Sequence, residues 1–213
     1  MTDDLRGYDP IHPGGRDWRG TFRRAFGPVL AGVVAVAKWS FLLVKFGSIF
    51  LAIAGYALLG GWTFGIGFVL MVLAHESGHY IEAKREHLNP QLPVFIPFLL
   101  AYVRYTRGNP WQTARVAIAG PIFGGLASLV VFLIAEADGS NALHYVAYWG
   151  FLLNLLNLIP VAFFDGGAVW RSAKLLRLGG GRGKAQIIYA LYGATAIALA
   201  LGLWAAYIPQ HRV

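Results

Sequence analysis

The sequence predicts an all-α multi-pass membrane protein with about five transmembrane helices and a membrane-embedded β-hairpin or re-entrant loop. Composition is the first sign: 57% of the 213 residues are hydrophobic and only 13% charged, with a mean hydropathy of +0.55, whereas a soluble domain carries about 25% charged residues. The second is the alternation of long apolar runs with short polar turns. It leaves room for about five or six spans and none for a substantial soluble domain. The third is the placement of the cations. Fifteen of the eighteen lysines and arginines lie in the amino-terminal tail, in 84–115 and in 165–184, each beside an apolar run. The positive-inside rule makes those segments cytoplasmic, so the net charge of +8 reflects orientation and contact with anionic lipid rather than nucleic acid. With no cysteine, disulfides and thiolate metal ligands are excluded.

In chain order, residues 1–27 read as a disordered basic cytoplasmic tail, 28–208 as a single membrane domain and 209–213 as a short carboxy-terminal tail. Arg23 and Arg24 before AFGPVLAGVVAVA imitate a signal peptide, but the apolar run continues instead of giving way to a soluble domain. From Pro28 to Leu59 only Lys38 and Lys45 interrupt that run. It fits one long tilted helix with both lysines on one face, or an interfacial helix followed by a span from Gly47. GGW at 60–62 makes a turn, and 66–85 is the next span. The segment 89–110 has four prolines among β-branched and aromatic residues, which suits extended or re-entrant backbone. At membrane depth such backbone needs protein or water beside it, so this loop is expected to line a site. Residues 113–135 form a third span. Its AGPIFGG sets Gly120 and Gly124 on one face for close helix contact, and packing alone is the favoured reading of that motif. Residues 142–160 and 186–207 complete the five.

Residues 75–79 read HESGH, at the end of an apolar run where ionisable side chains are costly and so mark a functional site. Positions four apart share a helix face, so His75 and His79 can each offer one imidazole nitrogen to a single zinc ion. Glu76 then lies within one turn, placed to take a proton from the attacking water and return it to a leaving amine. Catalytic zinc uses three protein ligands, so a third is required. Among the acids, Asp165 is best placed, after a span that returns to the cytoplasmic side and in FFDGG, whose glycines permit close backbone approach. His144 competes, but this topology puts it near the opposite membrane face.

HESGH, AGPIFGG and NLLNLIPVAFFDGG at 154–167, in that order, resemble the site-2 protease family of intramembrane zinc metalloproteases, in a compact form. The likeness covers most of 48–175. It implies that His75, His79 and Asp165 bind Zn²⁺ and that Glu76 activates water. Asn157 would position the substrate or support the oxyanion, with Asn154 assisting, though either asparagine also suits plain interhelical hydrogen bonding. The proline-rich loop resembles the family's membrane-embedded β-hairpin, which could hold a substrate as an added strand. The implied substrates are single-pass transmembrane proteins in a cell (inner) membrane. Three departures stand out: no segment suits a PDZ domain, none suits a CBS domain, and Phe163 and Phe164 replace the usual proline before Asp-Gly. An inert zinc-binding scaffold or chaperone is the alternative, against which the intact Glu76 argues. A metal transporter would spread its ionisable residues along a path, whereas here they gather at one depth.

Overall fold

The computed structural model describes residues 18–96 and 100–207. In chain order come α1 (Trp18–Arg85), β1 (Val94–Ile96), β2 (Leu100–Tyr102), α2 (Pro110–Asp138), α3 (Asn141–Asn157), α4 (Asp165–Leu178) and α5 (Arg182–Tyr207). The tail expected at 1–27 falls outside the described residues up to position 17; helix begins at Trp18. The expected tail at 209–213 lies outside them altogether.

The chain divides into two compact units, Met1–Val44 and Lys45–Val213. In the first, Phe26–Val36 is a short apolar helix whose Val29, Leu30, Val33, Val34 and Val36 are all exposed. The later part of α1 from Lys45 and all the following elements belong to the second unit.

Within α1, Gly60 (φ −146°, ψ 16°) and Gly61 (φ 80°, ψ 172°) leave the helical region, and the positive φ of Gly61 is one that a side chain would strain. The chain folds back at this point. Tyr56 and Phe68 stack edge to face with ring centroids 4.7 Å apart, although twelve residues of straight helix would separate them by about 18 Å. A Cβ on Gly65 would collide with the Ile53–Ala57 backbone, so this glycine lets the two arms touch.

Contacts along the arm 62–85 define the bundle. Gly67 meets Val146 and Met71 meets Gly150, while His75 meets Asn154. That constant offset means the arm runs parallel to α3. Gly78 packs on Ala119, and Gly124 on Asn154, so α2 runs antiparallel to both. Phe151 packs on Gly202 and Tyr148 on Tyr207, which sets α5 antiparallel to α3. The arm and α3 therefore end on the same side, where α2 begins.

Among the described residues, three helices are long and apolar enough to cross a membrane: Gly47–Arg85, Pro110–Asp138 and Arg182–Tyr207. Five were expected. The span placed at 142–160 is a helix of 17 residues, about 26 Å at 1.5 Å per residue and at the short end of the range that crosses a bilayer core. Leu126, Leu129, Val130, Leu133, Ile197 and Leu201 face outward, while Ala114, Ala117, Ala119 and Ser128 are buried. Large apolar groups outside and small ones at helix contacts suit lipid as solvent.

α2 starts earlier than the expected 113. Asn109 and Gln112 form a reciprocal capping box with proline at the first helical position, a combination that satisfies otherwise orphaned N–H groups. In the proline-rich loop, Val94 pairs with Tyr102 and Ile96 with Leu100, antiparallel. Gln91 N donates to Arg104 O, and Thr106 N to Leu88 O. The intervening residues 97–99 lie outside those described.

Candidate metal centre

The helix 62–85 carries His75 and His79 one turn apart, both buried. α4 brings Asp165 to them from its first residue. The start of α4 presses against the turn that follows α3: a Cβ on Gly166 would overlap the Leu158 carbonyl, and one on Gly167 the Val161 carbonyl. The two glycines after Asp165 thus allow the approach that the sequence suggested. A carboxylate in a first helical turn is also favoured by the helix dipole.

Three donor atoms converge. His75 Nε2 lies 3.1 Å from His79 Nε2, and Asp165 Oδ2 lies 3.1 Å from the first and 3.3 Å from the second. A tetrahedral zinc ion with bonds of about 2.0–2.1 Å has edges of about 3.3–3.4 Å between its donors. The triangle therefore fits zinc after a shift of a few tenths of an ångström.

The ring nitrogens on the far side support the same assignment. His79 Nδ1 is 2.8 Å from the Val116 carbonyl oxygen. That oxygen only accepts, so Nδ1 carries the proton and a neutral ring presents a bare Nε2. Lone pairs facing a buried carboxylate oxygen need a cation between them, protons in the metal-free site or a metal ion that displaces them. In the metal-free site burial alone would raise the Asp165 carboxyl, but the charge of protonated His79, with His75 beside it, outweighs burial and holds it below the ordinary carboxylate range.

A pocket of about 400 Å³ opens on this cluster, and Glu76, Tyr105, Asn157 and Phe163 share its wall with the three donors. Glu76 is buried, and among the described residues its Oε2 has no hydrogen-bond partner. Val103, in the segment after β2, lines the same pocket. Burial, and after it the charge of Asp165, raises the Tyr105 phenol. Asn157 donates from Nδ2 to Leu153 O at 3.1 Å. Asn154 sits elsewhere, fully buried behind His75, with its oxygen 2.8 Å from Nδ1. His144 lies apart, beside Glu136. Glu82 and Glu86, which also neighbour HESGH, are both paired with Arg115.

AGPIFGG does more than the packing expected of it. A Cβ on Gly120 would overlap the His79 ring and crowd His75 Nε2, and one on Gly124 would overlap the Asn154 amide. These glycines leave the space that the donors and their support occupy. The four-residue spacing was visible in the sequence, but what would fill it was not.

Comparison with known proteins agrees with this geometry. The family model for Peptidase family M50 matches residues 63–138, the stretch holding HESGH and AGPIFGG. That segment is similar to peptidase family M50, the site-2 protease family. Two curated relatives are both named "Putative zinc metalloprotease". One is sll0528 of Synechocystis sp., 32% identical over 127 residues that cover 54% of this chain and 34% of the relative. The other is Rip3 of Mycobacterium tuberculosis, 28% identical over 216 residues that cover 84% of this chain and 54% of the relative. The chain thus spans between a third and about half of these relatives' length. No solved structure matches it significantly. Family and donor set together identify the cofactor as Zn²⁺.

Proposed function

We propose that this chain is a zinc-dependent intramembrane endopeptidase that hydrolyses peptide bonds within or near transmembrane segments of membrane-anchored proteins. The observation that carries this reading is the convergence of His75, His79 and Asp165 in one pocket with Glu76, at the end of an apolar helix. His75, His79 and Asp165 hold the metal. Zinc bound there supplies Lewis acidity, which makes both the scissile carbonyl and a neighbouring water more reactive.

Glu76 is the general base. Its unpartnered carboxylate oxygen takes a proton from the attacking water as the new C–O bond forms, then delivers it to the leaving amine as the C–N bond breaks. Asn157 has a second amide hydrogen besides the one given to Leu153, and this group positions the substrate carbonyl and supports its developing negative charge. A transmembrane helix bonds its own amides internally, so the substrate must unwind locally before attack. The paired strands β1 and β2 offer backbone for a membrane-embedded hairpin to which an unwound segment adds as a further strand.

The domain comprises 28–208 and crosses the inner membrane five times with its amino terminus in the cytoplasm. The fold-back at Gly60–Gly61 and the antiparallel course of α2 against α3 support that path, and the cations near 84–115 put the site toward the cytoplasmic face. The test compares purified wild type with Glu76→Gln for zinc content and for cleavage of a transmembrane reporter. Both are expected to hold about one zinc, with cleavage reduced about 10²–10⁴-fold in the variant. Equal cleavage by the two proteins, or no zinc in the wild type, would overturn the proposal.

A further inference from the structure

We propose that Asn154 is a positioning residue of the metal centre: its side-chain oxygen fixes the tautomer and ring orientation of His75, and Gly124 makes the space in which it does so. The inference rests on the zinc site described above and adds a group that touches no substrate.

A chain of donors and acceptors links Asn154 to the metal site. Asn154 Nδ2 donates to the Gly150 carbonyl oxygen at 2.8 Å. That oxygen can only accept, so the bond settles which end of the amide is nitrogen. The opposite end, 2.8 Å from His75 Nδ1, is therefore the oxygen. It also can only accept, so His75 Nδ1 carries the proton and Nε2 is left bare. Nε2 is the atom that faces His79 and Asp165. His79 reaches the same state through the Val116 carbonyl, so each imidazole has its own acceptor, one from a backbone and one from a side chain. Acceptors of this kind raise ligand basicity and hold the ring in the coordinating orientation.

Packing keeps Asn154 in that role. It is completely buried, and a Cβ on Gly124 would occupy the place of its amide. Asn157 stands one turn later and lines the pocket, whereas Asn154 does not. Two asparagines three residues apart thus divide the work, one turned to the pocket and the other to the ligand.

The test is the zinc affinity of the full chain in detergent micelles, measured by chelator competition in wild type, Asn154→Leu and Asn154→Asp, together with the ligand-field spectrum of the cobalt-substituted proteins. Leucine removes the acceptor at similar volume, while aspartate keeps it. The leucine variant is expected to bind zinc about 10–100-fold more weakly and to alter the cobalt spectrum, with the aspartate variant close to wild type. Wild-type affinity and spectrum in the leucine variant would overturn the inference. So would an aspartate variant as weak as leucine, because the acceptor would then not be what matters.

A measurement on the wild type avoids any folding defect of the variants. Nitrogen-15 NMR of the histidine-labelled, zinc-loaded chain is expected to show His75 coordinated through Nε2 and protonated on Nδ1; coordination through Nδ1 overturns the inference. A wild type that binds no zinc overturns the metal centre as well, which separates the two failures.

Discussion

His144 and His75 are both buried, both have a carboxylate nearby, and they mark opposite ends of α3: His144 stands in its first turn, and His75 faces Asn154 in its last. Around His75 every nitrogen has an assigned partner, Asn154 on one side and the converging Nε2 and Oδ2 atoms on the other. Around His144, Nε2 is 3.8 Å from a half-exposed Glu136 carboxylate, Nδ1 has no partner among the described residues, and the ring rests edge-on against Phe132. Burial of a histidine is thus common to both ends. What distinguishes a metal centre is a second and third donor at bonding distance, and an acceptor behind each ring that decides which nitrogen is bare.

The strongest way to break this comparison is to remove a donor from each end. Asp165→Ala is expected to lose stoichiometric zinc on gel filtration, because two imidazoles alone leave the site a ligand short. His144→Ala is expected to keep about one zinc per chain. Elemental analysis of the two purified proteins decides the matter, and zinc loss from the His144 variant would erase the distinction.

A smaller effect comes from the space around the donors. Gly120→Ala drives a methyl group into the His79 ring and is expected to weaken zinc binding about 10–100-fold, as other losses of ligand positioning do. Gly193→Ala, where nothing lies within 4 Å of the new methyl, serves as the control and should match wild type in chelator competition. The smallest effect is at the other end. His144→Leu removes a buried nitrogen without a partner, so unfolding free energy should be unchanged or up by about 1 kcal/mol, with zinc affinity unaffected. A loss of several kcal/mol in denaturant titration would show that His144 has a partner the geometry does not reveal.

Much of this was legible along the chain. Composition and hydropathy announced a helical membrane protein, since a lipid-facing surface requires apolar residues whatever their detailed order. HESGH placed two donors and a carboxylate on one turn because helical periodicity alone brings i and i+4 together. GGW marked a real reversal at Gly60–Gly61. The number of helices long enough to span was less legible. The turn residues bounding α3 leave it 17 residues, and hydropathy does not register that a helix stops short. The start of α2 also moved, because Asn109 and Pro110 looked like loop residues when they are the cap and first turn of a helix.

The sequence by itself determined the solvent this chain lives in and the local face that carries His75, Glu76 and His79, because both follow from composition and from contacts within one helical turn. Asp165, some ninety residues further on, was singled out along the chain and the fold brings it to that face; only the tertiary structure decided that Asn154 supports a ligand ring while Asn157 lines the pocket, and that Gly120 and Gly124 hold space for them. Those assignments depend on the register and direction in which separate helices pack, and two asparagines one turn apart differ only in which neighbour the packing presents to each.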